Sequence, residues 1–296
     1  MRLFFPLLCL WCSLLAAAMP SIAAEAPLRI KITPETHTLR ASQSGLHYQL
    51  SVSLPPGYAR DIGKQYPVLY VLDGQRWFPD VVGHALNLYY QQQAPELIVV
   101  GISWVADDDT LAWLAEGEQP DFTTERQRDL SPYPTAGQAD SGRAAQFLNT
   151  LRAEIVPFIE TQYRAAPDER TLVGTELGGL FGYYALFQST GLFNRYLITD
   201  PALVNEALAM TLEGQYAGQS DDLPARVFLA QQRGPQGTLL QQIASKLASR
   251  HYPGLTLHTQ LMASGAGDDA KSALRLGLRF LFADPATALT ASTRTD

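Results

Sequence analysis

Cysteine is nearly absent from this chain: Cys9 and Cys12 are the only two among 296 residues, and both fall in the first dozen. If that segment is removed, no thiol remains to form a disulfide, act as a nucleophile or ligate a metal. Histidine is scarce as well, with five residues and no two at metal-ligand spacing, so no metal or cofactor is expected. Basic clusters are missing, and a formal net charge of −7 argues against nucleic-acid binding. There is no internal repeat, and the one long apolar run is N-terminal, from Leu3 to Met19.

That run follows Met1-Arg2 and leads into Ser21-Ile22-Ala23-Ala24. One positive charge, an apolar stretch and small residues at its end make a secretory signal peptide cleaved after Ala23 or Ala24. A single membrane anchor is the alternative, but the run is barely long enough to span and ends at a cleavage site. The expectation is a signal over residues 1–24, a folded domain over 25–283 and a small, polar tail over 284–296. The mature chain would have roughly 270 residues, enough to bury a large core without staples, and no membrane span. Its destination would be the periplasm or the medium.

Apolar runs and helical patterns alternate through the folded part. Tyr66–Leu72, Leu97–Ile102, Arg170–Gly174, Tyr196–Thr199 and Val227–Ala230 read as buried strands. Helices are expected over Val81–Tyr90, Leu177–Phe187, Thr238–Arg250 and Lys271–Phe282. Another is marked by the stripe Leu148, Leu151, Ile155, Phe158 and Ile159, with Pro157 set to kink or interrupt it. Continuous apolar strands between helices imply an α/β fold, a mainly parallel sheet covered on both faces. Tyr48–Leu54 alternates and is expected as an antiparallel edge strand. Ala106–Gly142 is polar, rich in Asp, Glu, Pro and Gly, and reads as a lid, a binding loop or an idle surface excursion. Within it, Asp107-Asp108-Asp109 reads as a solvated acidic turn rather than a calcium loop.

The most informative local feature is Leu172-Val173-Gly174-Thr175-Glu176-Leu177-Gly178-Gly179-Leu180. A strand runs through a glycine turn into a helix of small residues, the setting of the nucleophile elbow G-x-S-x-G. Gly174 and Gly178, with Gly179 beside them, permit the tight turn and close packing. Glu176 stands where the serine would be.

With this elbow, the chain resembles an esterase family of α/β-hydrolases that includes the trilactone (enterobactin-type) siderophore esterases. Val68–Gln75 is similar to that family's strand and Asp-Gly turn, and Arg128-Asp129-Leu130-Ser131-Pro132 to its R-D-L-T-P element. Phe193–Leu203 resembles its segment ending in S-P-S-L, and Gly277–Phe282 its final helix. The resemblance runs from about Tyr48 to Phe282 and implies the α/β-hydrolase fold.

The family implies a serine, a carboxylate and a histidine in that chain order. Here the serine position is Glu176. The histidine loop reads Ser264-Gly265-Ala266-Gly267-Asp268-Asp269, with Asp268 or Asp269 nearest the place of the lost histidine. The acid position reads Gln231-Gln232-Arg233-Gly234-Pro235-Gln236, with no carboxylate. None of His37, His47, His84, His251 and His258 is expected at a strand's carboxyl end; His84 comes nearest, because it follows the Asp73-Gly74 turn. By resemblance, Gly74, Gln75 and Leu177 are candidates for an oxyanion hole. The Glu176 carboxylate is expected to fold back onto the helix start and plug that hole.

Three functions follow. The first is an exported, catalytically degenerate esterase relative acting through a small ester or siderophore-like ligand, or through a protein partner. The second is an active ester hydrolase using Glu176 with an unrecognised base. The third is a structural role, with the pocket filled by Trp77, Trp104 or Trp113.

Overall fold

The structure, a computed structural model, describes residues 33–105, 121–203, 206–263 and 269–283. The expected signal and tail, the acidic run at 107–109, Trp113 and Asp268 lie outside these residues.

Eight strands form one sheet: β1 (Glu35–Arg40), β2 (His47–Ser53), β3 (Tyr66–Val71), β4 (Ile98–Trp104), β5 (Ala165–Thr175), β6 (Arg195–Thr199), β7 (Ala225–Gln232) and β8 (Leu255–Met262). Their order is β1-β2-β4-β3-β5-β6-β7-β8, antiparallel where β1 meets β2 and β2 meets β4, parallel elsewhere. The mainly parallel sheet is what the apolar runs imply, and the whole is the α/β-hydrolase fold that the resemblance implies. The helices are α1 (Gly74–Tyr90), α2 (Thr123–Leu130), α3 (Ala144–Thr150), α4 (Val156–Gln162), α5 (Leu177–Gln188), α6 (Glu206–Ala217), α7 (Pro235–Arg250) and α8 (Asp269–Phe282).

Strand pleating decides which face each residue serves. On β3, Val68 and Tyr70, with Leu72 just beyond its end, enter one core with Phe147, Ile159, Phe181 and Leu186. Leu69 and Val71 enter the other, against Trp77, Phe78 and Val81 of α1 and Leu274, Leu278 and Leu281 of α8. Both faces are therefore dry, which is why these strands are apolar throughout.

Two expectations need correction. β2 is antiparallel but not an edge, because β1 flanks it through the register Glu35↔Val52 to Arg40↔His47. Strand β1 is polar and largely exposed, so no buried run announces it. Pro157 interrupts its helix, as expected: a π-helical turn, Leu151–Ile155, separates α3 from α4, and Pro157 sits in the first turn of α4. The 106–142 segment is not irregular throughout, since α2 lies within it.

Candidate active site

The site is built at the carboxyl ends of β3, β5 and β6, each of which is followed within two residues by an acidic residue with positive φ. Asp73 (φ 51°), Glu176 (φ 56°) and Asp200 (φ 45°) leave the sheet in turn. Strand order reverses between β3 and β5, since β4 lies on one side of β3 and β5 on the other. Such a reversal opens the crevice where ligands bind in sheets of this kind. Asp73 and Glu176 stand on its two banks.

Glu176 adopts φ 56°, ψ −116°, a strained conformation for a residue with a Cβ. The surroundings impose it. Its amide donates to the Thr199 carbonyl at 3.0 Å, and its carbonyl accepts from Leu180 at 2.9 Å and Ala202 at 3.0 Å. A Cβ on Gly174 would lie 2.1 Å from the Gly178 carbonyl oxygen, and one on Gly179 would lie 2.8 Å from that of Thr199. The glycines thus let α5 start pressed onto the sheet, and the residue between them is pushed outward.

The Glu176 carboxylate does not return to α5, where no side-chain cap forms. The expected plug is overturned: two cations draw the carboxylate away from the helix start. Arg76 Nη1 donates to Oε2 at 3.0 Å, and Arg126 Nη2 reaches the same oxygen at 3.5 Å. Arg126 also grips Asp73 with two donors, Nε to Oδ1 at 2.8 Å and Nη2 to Oδ2 at 3.2 Å. Asp73 is 1% exposed, whereas the side chains of Glu176 and Arg76 are 43% and 53% exposed. Burial pushes the Asp73 carboxyl above its ordinary value, with Arg126 acting against the rise and Glu176 adding to it. Arg76 lies over the Trp77 ring, 4.6 Å from its centre.

At the end of β6, Asp200 accepts from the Gln232 amide at 2.7 Å and from Gln231 Nε2 at 3.2 Å. Behind the site, Thr175 and Thr199 share a buried hydrogen bond of 2.8 Å. Beneath α2, Asp129 accepts from Trp104 Nε1 (2.7 Å), Tyr48 Oη (3.0 Å) and both arms of Arg128 (2.8 and 2.9 Å).

Residues 42–210 match the family described as "Putative esterase". The chain belongs to this esterase family. One relative is the uncharacterized protein YbbA of Bacillus subtilis (strain 168), 25% identical over 154 residues covering 50% of this chain. The chain spans 54% of that curated relative's length. Its fold is that of an IroE-like serine hydrolase from Shewanella oneidensis (24% identity, TM-score 0.70, 84% of this chain and 80% of the other). It is also that of the siderophore hydrolase EstA from Aspergillus nidulans (18%, 0.70, 88% and 98%).

Among the described residues of this esterase-family chain, no histidine contacts Glu176. His37 Nε2 pairs with Tyr163 Oη at 2.6 Å, and His47 is exposed. His84 faces Lys271 and Arg275 of α8, and burial lowers its pKa. His251 ends α7 in a left-handed turn. His258 stacks on Phe228 and is also lowered by burial. The structure brings the Asp73–Gln75 and Glu176–Leu177 turns together: Asp73 Oδ2 is 3.3 Å from where a Gly178 Cβ would sit. Gly74 lies against the backbone of Gly101 and Ile102, and the buried Gln75 Oε1 has no hydrogen-bond partner in the structure. Trp77 and Trp104 are both buried, Trp104 beneath α2. Among the described residues, no cluster of three or more His, Cys, Asp or Glu side chains is placed to hold a metal ion.

Sequence reasoning passed over Arg76, Arg126 and Asp200. Each lies in or beside a segment similar to the family's: Arg76 directly after Val68–Gln75, Arg126 two residues before the Arg128-Asp129 element, and Asp200 within Phe193–Leu203. Chemically, a carboxylate whose oxygen is engaged by two guanidinium groups is a weakened nucleophile. Attack on an ester would form an anhydride with the enzyme and expel an alkoxide, and a base would then have to activate water. Neither arginine is such a base.

Proposed function

We propose that this chain is an exported member of the esterase family that no longer hydrolyses esters and acts by binding at the carboxyl end of its sheet. The observation that carries this is Glu176 in the nucleophile's place, ion-paired to Arg76 and Arg126, with no histidine beside it among the described residues. The sequence adds that no histidine follows His258, so the usual base is missing from the chain beyond β8. Gly74, Gln75 and Leu177 would then line a ligand site rather than an oxyanion hole in use. The siderophore hydrolases among its structural likenesses suggest a small ester or siderophore-like ligand. A protein partner is a further candidate.

The second reading, an active hydrolase, is favoured by one feature: Glu176 is still presented in the elbow's strained conformation, with its carboxylate partly open to solvent. Hydrolysis of nitrophenyl butyrate by the wild type and Glu176→Ala separates the two. The expected result is that neither exceeds buffer. Turnover by the wild type that disappears in the variant makes Glu176 catalytic and ends the non-hydrolytic reading.

A further inference from the structure

Arg76 and Arg126 are each anchored independently of the glutamate they share. Arg126 is fixed by its two bonds to buried Asp73, and Arg76 by the face of Trp77. Both would keep their places if Glu176 swung away. Swinging away requires only side-chain rotation, because the backbone of Glu176 is held by Thr199, Leu180 and Ala202. The Glu176 carboxylate is attached to its guanidinium partners through one oxygen, Oε2, and is 43% exposed. An exposed ion pair of this kind is worth only about 0–1 kcal/mol, so its partner is exchangeable. The cations open to solvent beside the reversal in strand order, where ligands of such sheets lie.

We propose that Arg76 and Arg126 form the anchor for a ligand carboxylate, and that Glu176 is the internal occupant this ligand displaces. The occupant is the template for the ligand: a carboxylate already sits there, and guanidinium forks match carboxylates better than they match a neutral carbonyl. This rests on the reading of the site as a binding site and names the chemistry it takes. The ligand is a small organic acid, or a larger molecule presenting one, entering past Arg76.

The test is calorimetric titration of the wild type, Glu176→Ala and Glu176→Ala/Arg76→Gln with sodium butyrate, with butyramide as the neutral control. Removal of the internal competitor should tighten butyrate binding by about tenfold, the scale of one charge-assisted contact. Loss of Arg76 should reverse the gain, and butyramide should bind none of the three. Arg76 is more than half exposed, so its substitution leaves folding intact, which melting curves verify. Butyrate binding to Glu176→Ala no tighter than to the wild type overturns the proposal, as does a gain that survives Arg76→Gln. If the wild type hydrolyses nitrophenyl butyrate through Glu176 while butyrate still binds through the arginines, the anchor stands and the non-hydrolytic reading falls. If neither hydrolysis nor butyrate binding occurs, the reverse holds.

Discussion

A buried carboxylate is stable only while its donors stay in place, and Asp129 has four hydrogen-bonding contacts from three side chains: Tyr48, Trp104 and Arg128. Asp129→Ala would strand a part-buried guanidinium, a phenol and an indole N–H together. A loss of about 3–5 kcal/mol is expected, read as a lower urea midpoint. Arg128 and Asp129 stood out in the sequence as part of one contiguous segment similar to the family's R-D-L-T-P element, although their pairing was not read from it. Arg126 did not, because its partners Asp73 and Glu176 are 53 and 50 residues away. Glu176 itself was legible, since its meaning depends on glycines two residues to either side. The direction of its side chain was not: that depends on Arg76, a hundred positions distant in the chain.

Among the elements, α2 illustrates a helix that hydrophobic periodicity cannot find. Only Asp129 and Leu130 of its eight residues are buried. It is held to the sheet by the Arg126–Asp73 ion pair and by the hydrogen bonds that Asp129 accepts from Trp104 of β4 and Tyr48 of β2, rather than by an apolar stripe. Arg126→Met should therefore release α2 locally. Amides of residues 123–130 should exchange at least about tenfold faster by mass spectrometry, while α5 stays protected. Unchanged exchange would show that Leu130 and the Asp129 network suffice to dock the helix. The polar strand β1 escaped for a similar reason, since one face of a strand on the sheet margin lies in water. The inner strands were readable because burial on both faces leaves only apolar residues eligible.

For the whole molecule, the strands from β2 to β7 were legible but the strand order was not. Nothing local distinguishes a strand that pairs with its sequence neighbour from one that crosses over, and the reversal beside β3 is what creates the site. The N-terminal segment bears on the molecule's location. The protein expressed with its native N-terminus is expected to be recovered outside the cytoplasm, with intact mass and N-terminal sequencing giving a chain that begins after Ala23 or Ala24. Recovery of the unprocessed chain in the membrane fraction would favour an anchor instead. Among the described residues, no helix is long and apolar enough to cross a membrane.

The separation of Asp73 from Glu176 also bears on how the chain reaches its final form. Helices α1 and α5 are local structures and can begin to form alone. The crevice between them cannot exist until β3 and β5 zip together across about a hundred residues of intervening chain. Until then the elbow lacks the counter-charges that orient its glutamate. The binding site is therefore a late product of folding, and a nascent chain that has not yet emerged past β5 carries only one of its two banks.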